Sequence, residues 1–410
     1  MKPTVLLACT SRWFPASRLV MALASAGFTV DAVCPSRHSL RELRSVRRAY
    51  SHYGVAPADT FADAIRSSSP DLIIPCDDLA ATLLRQLYAE ETRGNTHSPV
   101  AALIERSLGS PESFQVLYHR AAFIEMARRS GVRVPVTATI RDLNELEDWA
   151  RVGGFPAVLK ADNTSGGEGV RIVSTLEEAR RAFTTLSAPP LAARAAKRAL
   201  LDQDSSLVRP SLFRRRAGIS AQIYIRGREA TTAVACWNGS VLASLHFEVI
   251  NKMDVTGHST VLRRIDNADM ATATEKVVRG LGLSGVIGLD FILQADTWNA
   301  YLIEINPRAT QVGHLRLGPD RDIPAALFSC VSGRPIQEAD KITENEVIAL
   351  FPQEWKRDPA SPYLRSGYHD VPWDEPELVR ACVRSRRRQW ARYAEQHVVR
   401  TMSPAHVSRD

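Results

Sequence analysis

Short apolar runs separated by helical periods constrain this chain more than any other feature. TVLLACT (4–10), TVDAVCP (29–35) and the start of DLIIPCDDLAATLLRQLY (71–88) are each long enough for one buried strand. ASRLVMALASAGF (16–28) and the second half of the third run carry apolar residues at helical spacing. Strands alternating with helices close as a parallel sheet, because parallel neighbours need a crossover and the helix supplies it. A small doubly wound domain is therefore expected at the start of the chain. It lacks GxGxxG after the first strand, which argues against a dinucleotide site. Asp77 and Asp78 fall at the carboxyl end of a strand, where such sheets bind ligands. They are equally suited to capping the next helix, and both readings stay open.

Beyond this region the pattern changes. A helix is expected over 112–130, stopped by Gly131 and Pro135, then two strands, FPAVLKAD (155–162) and GVRIVS (169–174), joined by NTSGGEG. After an Ala/Arg-rich stretch (191–216), ISAQIYIRG (219–227), EATTAVACW (229–237) and SVLASLHFEVI (240–250) alternate as an antiparallel meander would. A helix (270–283) precedes a hairpin of GVIGLDFILQ (285–294) and AYLIEIN (300–306). At 410 residues the chain exceeds one ordinary domain. Four segments are expected: 1–110 α/β, 111–228 with the glycine loop and an insertion, 229–335, and a mostly helical, arginine-rich 336–410. No run approaches the ~18 apolar residues of a membrane span, and the apolar run before Cys9 is too short for a signal segment. The six cysteines are scattered, as free thiols of a reducing compartment would be, so a cytoplasmic location is expected. Much of the net charge of +7 sits in RACVRSRRRQWAR (380–392) and RRR (214–216). The first reads as a solvated helix face behind Leu378, Cys382 and Trp390, so nucleic acid is not an expected partner.

Three places carry chemistry. SGGEG exposes successive backbone N–H groups, an anion-binding concavity. Lys160, one of seven lysines among the 52 basic residues, closes the strand leading into it and shares a face with Val158, where a core position would be apolar. Asp290 sits inside the apolar run GVIGLDFIL, where an acid needs a partner or a metal. A hairpin can place it beside Glu304 and Asn306, which leave one face of their strand together. Leu302 shares that alternation, so the face is expected to leave the core where Glu304 begins. Hard oxygen donors of this kind suit Mg²⁺. The alternative is an Asp290 neutralised by a buried arginine such as Arg308. No Ser/His/Asp or Cys/His arrangement stands out.

Taken in order, Lys160, SGGEGV, QIYIRGRE and the Asp290/Glu304/Asn306/Arg308 set resemble the ATP-grasp enzymes, over residues 4 to 335. The resemblance implies an α/β ATP-grasp fold, with an N-terminal doubly wound parallel-sheet domain followed by two α+β subdomains. It implies that Lys160 contacts ATP phosphates and that the flap at Ser165, Gly166, Gly167 and Gly169 closes over them. The backbone at Gln222, Ile223, Tyr224 and Ile225 would pair with adenine, and Glu229 would hold the ribose. Asp290, Glu304 and Asn306 would bind Mg²⁺, with Mn²⁺ as a substitute, and Arg308 would steady the transferred phosphoryl group. Arg120 stands where the family carries an earlier lysine, and arginine also clamps phosphate. Gly313 stands before His314 where biotin carboxylases carry an acid, which argues against biotin carboxylation. The insertion around 184–218 has no counterpart in the simple members. The implied function is a ligase that activates a small carboxylate as an acyl phosphate for attack by an amine, with a homodimer as an option. The alternatives are phosphorylation of bicarbonate or carbamate, as in carbamoyl-phosphate synthase, and a non-catalytic ATP-binding module. His314 is read as structural.

Overall fold

The computed structural model describes residues 2–54, 57–94, 98–162, 167, 169–192, 196, 211–213, 216–255, 257–336 and 339–384, and its strands form three sheets. In the first, β1 (Thr4–Ala8), β2 (Thr29–Cys34), β3 (Val46–Ser51) and β4 (Leu72–Pro75) run parallel in the order β3-β2-β1-β4. Both faces are covered, which is why β1 and β4 read as apolar runs and β2 as one interrupted only by Asp31. Leu6 and Ala8 pack with Phe61, Ile73 and Leu84, while Val5, Leu7 and Cys9 pack with Leu19 and Leu23. β3 escapes the apolar-run criterion because it is an edge strand carrying Arg47, which forks onto the buried Asp31. The strand order reverses between β1 and β4, which opens a crevice at their carboxyl ends.

The second sheet is antiparallel, with β5 (Thr137–Ile140), β6 (Ala157–Ala161), β7 (Val170–Val173) and β8 (Ile219–Ile223) in the order β5-β8-β6-β7. The run at 219–223, expected to open the meander, belongs here instead. Its Ile219 and Ala221 close the same core as Leu159, Leu146 and Phe183 under the helices Leu143–Gly153 and Leu176–Ser187. Both helices start with reciprocal caps. Asp142 accepts from Glu145 N–H while Glu145 accepts from Arg141 N–H, and Thr175 and Glu178 repeat the device with Ser174.

The third sheet has seven strands. They are β9 (Gly227–Trp237), β10 (Ser240–Lys252), β11 (Ser259–Arg264), β12 (Gly285–Gln294), β13 (Ala300–Asn306), β14 (Val347–Leu350) and β15 (Tyr368–Asp370), in the order β13-β12-β9-β10-β11-β14-β15. One face, with Leu289, Phe291 and Leu302, packs on the helices Arg120–Arg129 and Ala268–Gly280 through Phe123, Ile124, Val277 and Val278. The other face, with Ala233, Phe247 and Val286, shares a core with β1 and with the helices Pro15–Ala26 and Ile323–Ser332.

Two expectations change. The helix expected over 112–130 is two 3₁₀ turns, Pro111–Ser113 and Val116–Tyr118, and then the helix from Arg120, because His119 is extended. The stretch after 336, expected mostly helical, adds β14 and β15 to the large sheet beside the short helices Gln353–Arg357 and Tyr363–Ser366. Leu378 and Cys382 are buried as expected, while Trp390 and the arginine run from 385 lie outside the described residues. So does most of the 191–216 stretch. Among the described residues no helix is long and apolar enough to cross a membrane.

Candidate active site

The β12–β13 hairpin sets Asp290 opposite Glu304 and Gly288 opposite Asn306. Between Asp290 and Phe291 the register shifts by one residue, so Phe291 faces Leu302 and Ile303 has no opposite number. This bulge corrects the expectation that Leu302 and Glu304 share a face. Leu302 stays in the core with Phe291, while Glu304 emerges beside Asp290. Bulges re-aim side chains in this way. The carbonyl of the extra residue is not idle, for Lys160 Nζ donates to Ile303 O at 3.4 Å.

Asp290 is held by neutral donors alone. Thr231, opposite it on β9, donates from Oγ1 to Oδ1 at 2.8 Å, and Asn306 donates from Nδ2 to Oδ2 at 2.8 Å. The arginine-neutralised alternative is therefore not what this structure holds. Burial, and then the charge of Glu304, push the Asp290 carboxyl up to about 6. Two facing carboxylates, of which Asp290 has no cation bonded to it among the described residues, fit a hard cation. Among the described residues no three His, Cys, Asp or Glu side chains converge on a metal position. Further donors must come from Asn306, water or a ligand phosphate. Asn306 would have to turn its amide, since its Oδ1 now accepts from Arg308 Nη2 at 3.1 Å. Gly288 makes room nearby, because a Cβ there would lie 2.2 Å from Thr310 Cγ2.

Two cations approach Glu304 from other elements. Arg120, at the start of its helix, places Nη2 2.9 Å from Glu304 Oε1. Lys160, near the end of β6, is only 6% exposed. Burial lowers its ammonium to about 8, against the opposing pull of Glu304. The β6–β7 connection returns through Gly167 (φ +77) and Gly169, whose carbonyls accept from Val170 and Ala161 N–H. Ser165 and Gly166 lie outside the described residues.

The expected adenine segment is partly closed. Gln222 lies inside β8 between β5 and β6, and the N–H groups of Ile223 and Tyr224 donate to Val136 and Pro156 carbonyls at 3.0 and 3.3 Å. Those two N–H groups are thus engaged, while the Tyr224 carbonyl and Ile225 lie past the end of β8. Glu229, on β9, faces the same cleft as Lys160 and binds Lys252 Nζ at 2.6 Å.

The far wall comes from the first sheet. Ala309 N–H donates to Pro75 O at 2.9 Å, bringing the end of β4 against the chain after β13. The two aspartates there divide the two readings between them. Asp77 caps, accepting from Ala80 N–H at 2.9 Å and from the backbone and hydroxyls of Thr10 and Ser11. Asp78 faces the cleft and takes Arg308 in a fork, Nε to Oδ1 at 2.8 Å and Nη2 to Oδ2 at 3.2 Å. The Trp13 ring lies 5.9 Å from the Arg308 guanidinium carbon. Neither Asp78 as an arginine partner nor Trp13 was anticipated, and the only sequence signal was the acidic pair at a strand's carboxyl end. His314 stands apart, bonded through Nε2 to the buried Asp370 at 2.7 Å, and Asp370 also holds Arg18.

Comparison with known proteins agrees with this geometry. Residues 119–315 match the family described as carbamoyl-phosphate synthase L chain, ATP binding domain. The large chain of carbamoyl phosphate synthase from Rubrobacter xylanophilus is 27% identical over 326 residues, 75% of this chain and 27% of the relative. That from Kocuria rhizophila is 28% identical over 207 residues, 49% of this chain and 17% of the relative. The chain thus spans about a quarter or less of the length of these relatives. Among solved structures, the biotin carboxylase domain of 2-oxoglutarate carboxylase from Hydrogenobacter thermophilus, in complex with MgADP and bicarbonate, superposes with a TM-score of 0.58 at 18% identity, covering 82% of this chain and 71% of that one. L-amino acid ligase from Bacillus licheniformis superposes with a TM-score of 0.56 at 15% identity, covering 84% and 79%. The architecture and these matches give the chain an ATP-grasp fold, with residues 119–315 similar to the carbamoyl-phosphate synthase ATP-binding domain.

Proposed function

We propose that the chain is an ATP- and Mg²⁺-dependent ligase that activates a small carboxylate as an acyl phosphate and passes the acyl group to an amine. The observation that carries this reading is the facing pair Asp290 and Glu304, with Lys160 and Arg120 converging on it and Arg308 closing the far side. Asp290, Glu304 and Asn306 would hold the metal, which would offset the charge of the nucleotide phosphates. Lys160 and Arg120 would meet the phosphates under the glycine flap, Tyr224 and Ile225 the adenine, and Glu229 the ribose. The substrate carboxylate attacks the γ-phosphorus, the bond to the bridging oxygen of ADP breaks, and Arg308 balances charge on the group in flight. The amine then displaces phosphate, with no covalent enzyme intermediate. The work is positioning and charge neutralisation.

A second reading, phosphorylation of bicarbonate or carbamate, draws on the match to the carbamoyl-phosphate synthase ATP-binding domain. ADP release with Mg²⁺–ATP, measured across small acids, amines and bicarbonate, tests both. Turnover requiring an acid and an amine supports the ligase. Turnover with bicarbonate alone favours the second reading, and no ADP from any combination sinks both.

A further inference from the structure

We infer that the acid bound at this site is a zwitterion, an α-amino acid whose ammonium group takes the place on Asp78 that the Arg308 fork now fills. This rests on the ligase reading for its site and goes beyond it in naming the substrate class. Arg308 has five N–H donors. Nε and one Nη2 hydrogen go to Asp78, the other Nη2 hydrogen to Asn306 Oδ1, and one Nη1 hydrogen to Ala309 O. To meet a carboxylate or phosphoryl group with its fork, the guanidinium must leave Asp78. An acid without a cation of its own would then face a bare Asp78 carboxylate, with Asp77 beside it adding to the same field. Like charges set together in a partly dry crevice oppose such binding. Asp77 cannot shift to help, since Thr10, Ser11 and Ala80 already occupy it. An amino acid resolves the conflict by exchange, its carboxylate on Arg308 and its ammonium on Asp78. Two further groups suit it. The Trp13 ring beside Arg308 offers a face to a cation. The Thr310 hydroxyl is buried, with no partner among the described residues, two positions from Arg308.

The test is calorimetric binding to the full chain loaded with Mg²⁺ and a non-hydrolysable ATP analogue, using L-amino acids and the same acids lacking the amino group. The amino acid that binds best should exceed its des-amino partner by about tenfold or more, some 1.4 kcal/mol. Asp78→Asn should erase that preference and leave nucleotide affinity unchanged, while Asp78→Glu should keep part of it. Des-amino acids binding as well as every amino acid would overturn the inference, as would an Asp78→Asn protein that keeps the preference. If Asp78→Asn does not fold, the wild-type comparison decides alone. Amino-acid binding that depends on Asp78, with no ADP formed from any acid and amine, would sink the ligase reading and leave this inference standing.

Discussion

Lys160 is a cation kept in a dry place, and its behaviour should show it. Its ammonium, lowered to about 8 by burial, has an ordinary value of 10.5. Between those values the unfolded lysine holds a proton that the folded one lacks, so its contribution to apo stability rises with pH across that window. ATP affinity should run the other way, weakening as pH climbs through 8, and a Lys160→Met protein should show a flat profile by equilibrium binding. Lys160→Ala should lose about 10²-fold in turnover, the scale of one lost charge-stabilising donor, with an unchanged circular dichroism spectrum. Glu304 gives a different signature. Replacing it with Gln relieves the repulsion on Asp290 and removes the Arg120 ion pair, a partly exposed contact contributing about 1 kcal/mol at most. Apo melting should therefore stay near wild type. The added stabilisation that Mg²⁺ brings to the nucleotide complex should vanish along with activity, and a thermal-shift series that retains it would return Glu304 to a purely structural role.

At the scale of elements, the hairpin and its neighbour are coupled through Gly288. An alanine there would collide with Thr310 Cγ2, an overpacking cost of about 1–3 kcal/mol. Thr310→Ser removes that methyl and keeps the hydroxyl, so the double mutant should recover stability and activity in chemical denaturation and turnover assays. The elements also show what a sequence conveys. β1, β2, β4 and β12 were legible because burial on one or both faces writes itself as apolar residues. Asp290 was legible because it is the lone acid in such a run. The bulge at Ile303 was not, for a register shift leaves the alternation of residue types untouched and shows only in pairing. β8 was assigned to the wrong sheet for a related reason, since period-2 patterning shows that a strand has a buried face and says nothing of which core it meets.

For the whole molecule, contacts between distant segments decide what the sequence hides. Asp78 and Arg308 are 230 positions apart, and the buried Asp370 joins Arg18, 352 positions away, to His314, 56 away. These pairings tie the first sheet, the chain after β13 and the last strand of the large sheet into one body. Asp370 carries a depressed pKa despite its burial, because His314 and Arg18 both favour its charged form. Asp370→Ala would strand Arg18 without its partner, and a loss of about 3–5 kcal/mol is expected in chemical denaturation. His314→Asn should cost stability and spare the turnover rate per folded molecule, and a selective loss of turnover would mark it as a participant in the reaction.

The extra residue at Ile303 also bears on how such a strand tolerates change. Substitution at 303 alters one side chain, but excision of the residue closes the bulge. Leu302 and Glu304 would then follow one another as ordinary neighbours on opposite faces, the acid still beside Asp290, and what is lost is the carbonyl that Lys160 uses. The turn at 295–299 lies at the far end of the hairpin from the acids and can absorb an insertion as a longer loop. An insertion in that turn would therefore lengthen a loop, while excision of Ile303 would leave both acids facing one another and free the Lys160 ammonium from its carbonyl.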